Sequence, residues 1–192
     1  MKKGLKTAFA LVIALALLGL PLTLAGCGGG SGKYTAVTTA FSGATVTYEY
    51  PDGYQMPPGG PGDTSITYMH FLNGQVEQYN ADVMFFIETA NLTPGHTASD
   101  QMDSDISSIM QNTQGFRLIK RATTKVLGYD AQLLAFTATF VDTPLTSTTA
   151  TTWVTYFARD GKVWELGAMA NSDIGDTAQT VQQHLVDTFK FQ

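Results

Sequence analysis

The side chains that could do chemistry in this chain are few: one cysteine, three histidines and scattered carboxylates. Cys27 follows the small residues Ala25 and Gly26 and has no second thiol to pair with, which excludes an internal disulfide or dithiol redox chemistry. His70, His96 and His184 stand far apart, and none has a His or Cys at zinc-site spacing. Folding could still bring His70 and His96 to an aspartate, but isolated surface histidines are the expectation, and no metal is expected. Asp100, Asp103 and Asp105 imitate a calcium loop in composition only, because Met102 falls where such a loop needs an oxygen. The stretch from Asp52 to Asp63 fails the same way, with Tyr54 and Met56 at ligand positions. No serine elbow, Ser-x-x-Lys, phosphate-binding loop or dinucleotide fingerprint occurs. The residues therefore assign no catalytic group and no cofactor.

Two stretches are less ordinary. Arg117, Lys120, Arg121 and Lys125 place four cations within nine residues. On a regular strand Arg117, Ile119 and Arg121 share one face and Lys120 takes the other. Such charge protects an edge strand from unwanted pairing, and it is also a candidate docking patch for an acidic partner. The second stretch, Tyr54 to Asp63, is rich in proline and glycine, which sustain neither a ladder nor a helix. Tyr54 and Met56 make it a candidate binding loop, since long irregular loops on a rigid sheet often carry binding.

The residues ahead of Cys27 give that cysteine a role. Lys2, Lys3 and Lys6 precede an apolar run from Ala8 to Leu20, ended by Pro21, which is the plan of a secretory signal. The run is short for a bilayer core, which needs roughly 20 apolar residues. Leu24-Ala25-Gly26-Cys27 resembles the lipobox of bacterial prolipoproteins. That resemblance implies cleavage before Cys27, a diacylglyceryl group on its thiol, and acyl chains such as palmitate that hold the protein on a membrane. The chain then divides into a signal peptide (1–26), the acylated cysteine with a glycine-rich tether (27–33) and one globular domain (34–192). Losing three lysines and no acid takes the net charge from −5 to −8. So acidic a protein is a poor nucleic-acid binder and is repelled by anionic headgroups. Contact with the membrane is expected through the lipid, at the extracytoplasmic face of a bacterial cell membrane, with an unidentified envelope protein or ligand as partner.

The elements that must position these residues follow from apolar periodicity. Residues 34–50 read as strand broken at Ser42-Gly43, with Val46, Tyr48 and Tyr50 alternating against Thr45, Thr47 and Glu49. A strand over 64–72 leads into an Asn73-Gly74 turn. Residues 83–89 are apolar on both faces, which calls for layers above and below. Met102, Ile106, Ile109 and Met110 predict a helix over 99–113, capped by Thr97 or Ser99 and stopped at Gly115. Strands follow at 116–127, 129–141, 151–158 and 162–170, the last two turning at Asp160-Gly161. Trp153, Phe157, Val163, Trp164 and Leu166 should supply much of the core. Val181, Leu185 and Phe189 predict a closing helix over 176–189, capped by Thr177 or Asp176. The order is α+β: an antiparallel sheet with helices packed on it.

Val46-Thr47-Tyr48-Glu49-Tyr50-Pro51-Asp52-Gly53-Tyr54 opens the domain, and a helix runs into Gly115-Phe116. Leu127-Gly128-Tyr129-Asp130-Ala131, Trp164-Glu165-Leu166 and Phe189-Lys190-Phe191 follow in turn. In that order these pieces resemble the PsbP-like family, which shares its fold with the Mog-type Ran-binding protein. The resemblance implies an antiparallel sheet between helices on both faces, an α/β/α sandwich. Members include extrinsic photosystem II subunits and bacterial lipoproteins, so it implies a non-enzymatic binding or assembly module. An envelope hydrolase with a site assembled by folding, or a photosystem-associated protein, are the alternatives.

Overall fold

The computed structural model describes residues 34–57, 60, 62–71, 81–141, 143 and 145–192. The signal segment, Cys27, the tether and the Asn73-Gly74 turn lie outside the described residues. The elements in order are β1 (Tyr34–Phe41), β2 (Ala44–Pro51), β3 (Tyr54–Gln55), β4 (Ser65–Phe71), β5 (Ala81–Asn91), α1 (Ala98–Asn112) and β6 (Gln114–Val126). β7 (Tyr129–Thr139), β8 (Thr149–Arg159), β9 (Lys162–Asn171), α2 (Gly175–Thr188) and β10 (Lys190–Phe191) complete the chain.

Seven strands form one antiparallel sheet in the order β3-β4-β5-β9-β8-β7-β6. The hairpin β1-β2 stands apart as a small sheet, closed by β10 on the far side of β2. Three hairpins turn on two residues: Ser42-Gly43, Leu127-Gly128 and Asp160-Gly161. Both φ angles are positive in each, the geometry that matches strand twist.

Alternate residues of β5 enter different cores. Val83, Phe85 and Ile87 join Trp153, Phe157, Trp164 and Leu166 with Val181, Leu185 and Phe189 from the closing segment. Met84 and Phe86 join Leu134, Phe136, Val154 and Tyr156 with Met102 and Ile109 of α1. The carboxyl end is fastened by aromatics: Phe191 meets Trp164 edge-on at 4.9 Å, Phe189 meets it at 5.8 Å, and Arg159 lies 3.6 Å over the Phe191 ring. Burying rings of this size contributes about 1.5–3 kcal/mol each. No helix among the described residues is long and apolar enough to cross a membrane.

One of the two expected α1 caps is present, and several other local expectations are corrected. Thr97 caps α1 in a full capping box, its hydroxyl accepting from the Asp100 amide at 3.3 Å while the Asp100 carboxylate accepts from the Thr97 amide at 2.7 Å. The helix ends at Thr113 with extended backbone, so Gly115 is not its stop; with φ of 63° it sits where β6 bulges between Gln114 and Arg117. Met110 is 58% exposed rather than core. Neither Asp176 nor Thr177 caps α2, because a 3₁₀ turn at Ser172–Ile174 leads into it and Ile174 occupies the cap. Tyr54-Gln55 is strand paired with His70 and Met69, so the loop starts two residues later than its composition implies.

Candidate functional site

β6 is the end strand of the large sheet and hydrogen-bonds to β7 alone among the described strands. Of its residues only Val126 is buried, and Phe116 and Ala122 are half-buried. A strand with both faces so open keeps its shape through its ladder to β7, not through core packing. Leu118 and Ile119 are 49% and 48% exposed and adjacent in sequence, so the edge carries apolar as well as charged surface.

The four cations divide differently from a regular strand. Arg117 sits opposite Thr137, Lys120 opposite Ala135 and Arg121 opposite Leu134, with the register shifting between Leu118 and Lys120. The extra residue flips the alternation, so Arg117 and Lys120 share the face of Ala135, and Arg121 takes the face of Leu134. There Arg121 meets Asp103 of α1 at 2.7 Å. Lys125 meets Asp130 across the hairpin at 2.7 Å. Arg117 and Lys120 form no ion pair among the described residues.

Tyr54 and Met56 are half-buried and pack against the core that holds Phe85. Burial, then the Asp82 carboxylate, pushes the Tyr54 phenol well above its ordinary range. Its ring stands 5.5 Å from that of His70, whose Nδ1 lies 2.7 Å from Asp82. His184 is paired too, its Nε2 2.9 Å from Glu49 and its ring stacked 3.5 Å from Tyr34. His96 lies exposed in the turn before α1. Among the described residues no group of three or more His, Cys, Asp or Glu is placed to hold a metal ion.

One constellation is invisible in the sequence reading. Glu88 of β5 faces Glu165 of β9, which in turn faces Tyr156 of β8. Asp105 of α1 joins them, accepting hydrogen bonds from Gln101 Nε2 at 2.9 Å and from the Tyr156 hydroxyl. No ion pair among the described residues includes any of these three acids. Burial, reinforced by Asp105, lifts Glu88 to about 7. Burial lifts Asp105 to about 6, against the pull of its two hydrogen bonds. Glu165 is driven well above the carboxylate range by burial and by both neighbouring acids. The available signal was a glutamate ending the apolar run Val83–Ile87 and another between Trp164 and Leu166.

No protein-family model and no curated protein matches the sequence. Solved structures do. The cyanobacterial PsbP (CyanoP) of Synechocystis sp. PCC 6803 superposes with a TM-score of 0.57 at 15% identity, over 88% of this chain and 99% of that one. The fold is PsbP-like. The Ran-binding protein Mog1p of Saccharomyces cerevisiae superposes equally, at 0.57 and 11% identity, over 82% of this chain and 94% of its own. A Pseudomonas aeruginosa protein of unknown function, a putative regulator, reaches 0.50 at 14% identity, covering 79% of this chain and 92% of that one. In this chain β6 lies at an edge because the strand after α1 is the outermost of the sheet and the chain returns inward through β7, β8 and β9.

Proposed function

We propose that this PsbP-like chain is a lipid-anchored docking module of a bacterial envelope, held on the extracytoplasmic face through Cys27 and binding its partner without transforming it. The observation that carries the reading is β6. It holds four of the eight cations that follow Cys27, in a domain of net charge −8, and two of them are not neutralised by its own acids. A positive strip on a negative body orients an approaching acidic partner and rejects misaligned ones. A helix on each face of the large sheet belongs to this reading, supported by the separate cores that α1 and α2 enter. That the yeast neighbour is a Ran-binding protein makes protein binding compatible with such a scaffold.

A second reading, an envelope hydrolase, draws on His70. Asp82 on Nδ1 orients the ring beside Tyr54, as a general base requires. The two readings part in one experiment on the anchored protein. Neutralising Arg117 and Lys120 should strip the proteins that copurify from membranes, while His70→Ala leaves them in place. An unchanged set after charge removal would overturn the docking reading. The anchor is tested by Cys27→Ser, which should release the domain or leave an unprocessed precursor; mature protein still in the membrane would refute lipidation.

A further inference from the structure

The outer edge of β6 is a ladder without an occupant among the described strands, flanked by surface that is exposed at most of its positions. Thirteen residues run along it, far more than a protected edge strand needs. Its bulges and cations are the usual defences against indiscriminate pairing. Exposed Leu118 and Ile119 work against that purpose, since a defended edge carries polar side chains at such positions. Leu118 pairs with Phe136 and so faces the α1 side, whereas Arg117 and Lys120 face the other. The edge therefore presents an apolar contact on one face and positive charge on the opposite one.

Resting on the docking reading above, we propose that β6 takes an extended, acidic segment of the partner protein as an added strand. Backbone hydrogen bonds along the edge would supply register-independent affinity, and side chains at alternate positions would supply choice. Carboxylates on one face of the incoming strand meet Arg117 and Lys120, and an apolar side chain on the other covers Leu118. A second copy of this chain is the wrong occupant. Two β6 edges paired about a twofold axis at Leu118 and Ile119, the register that would cover the exposed apolar pair, would set Arg117 of each copy against Lys120 of the other, and like charges across a ladder repel.

The test uses the full chain in detergent micelles and a synthetic peptide of about nine alternating Glu and Val residues, the length of an ordinary strand. Its controls are a Lys and Val peptide and the Glu and Val peptide with every backbone amide methylated. The Glu peptide should bind, slow amide exchange over residues 117–121, and lose at least about tenfold in affinity on methylation or with Arg117→Glu plus Lys120→Glu. Binding that is charge-dependent but indifferent to methylation would overturn strand addition and leave the docking reading standing. No binding of the Glu peptide, or equal binding of the Lys peptide, would overturn both.

Discussion

Replacing Glu88 by glutamine should stabilise the domain, by an amount that grows as pH rises from about 4.5 to about 7. Glu88 and Glu165 are opposed across β5 and β9, with Asp105 of α1 and the Tyr156 phenol against them and, among the described residues, no cation paired with any of the acids. A carboxyl whose folded-state pKa lies above its unfolded value favours the native state while protonated. Its contribution is complete below the unfolded value and vanishes as pH climbs through the folded one. For Glu88 that window runs from the ordinary 4.5 to about 7. At about 1.4 kcal/mol per pH unit the rise amounts to at most roughly 3 kcal/mol, because part of the side chain still meets solvent. Asp105, lifted to about 6, steepens the same loss. Glu88→Gln holds position 88 neutral at every pH, so wild type and variant should unfold alike below about pH 4.5, diverge between there and about pH 7, and differ little further above it. A difference near 3 kcal/mol moves Tm by roughly 6–12 °C in a domain of this size. Urea unfolding followed by the fluorescence of buried Trp153 and Trp164 measures it directly. Wild-type stability that stays flat or rises from pH 5 to 8, or a variant that tracks wild type throughout, would refute the reasoning.

Two structural predictions follow from local geometry. A Cβ on Gly167 would stand 2.2 Å from Cζ of Phe86, its cross-strand partner, so the ring must shift in its core and Gly167→Ala should cost about 1–3 kcal/mol. Adding Phe86→Leu should recover part of that loss, and strictly additive destabilisation in the double variant would contradict the clash. Thr97→Ala removes one half of the α1 capping box and should cost about 1 kcal/mol in urea unfolding, with the basic strand's peptide binding unchanged.

Much of the architecture was legible because its causes are local. Alternation in Val46, Tyr48 and Tyr50, the two-residue turns and the helical spacing of Val181, Leu185 and Phe189 each act over a few residues. What escaped detection depends on pairing between distant segments. β10 is two residues long and exists only because Lys190 and Phe191 lie against Thr47 and Val46. Glu88 and Glu165 look like separate solvent-facing residues until the register of β5 on β9 sets them opposite one another. The bulge after Leu118 likewise inverts which cations share a face, and no spacing rule in the basic segment announces it. Asp103 reaches Arg121 from α1 and Asp130 reaches Lys125 across the hairpin, so of the four cations Arg117 and Lys120 have no ion pair among the described residues. The candidate patch was thus found by composition, and its unpaired half only by topology.

The central claim is that this module meets its partner along β6. A photocrosslinking residue placed at Ile119 of the anchored protein, and another at exposed Gln183 of α2, would test it in intact cells. A discrete adduct should form from position 119 alone and disappear when Arg117 and Lys120 are both changed to glutamate. Equal adducts from both positions, or an adduct at 119 that survives the charge reversal, would contradict the account.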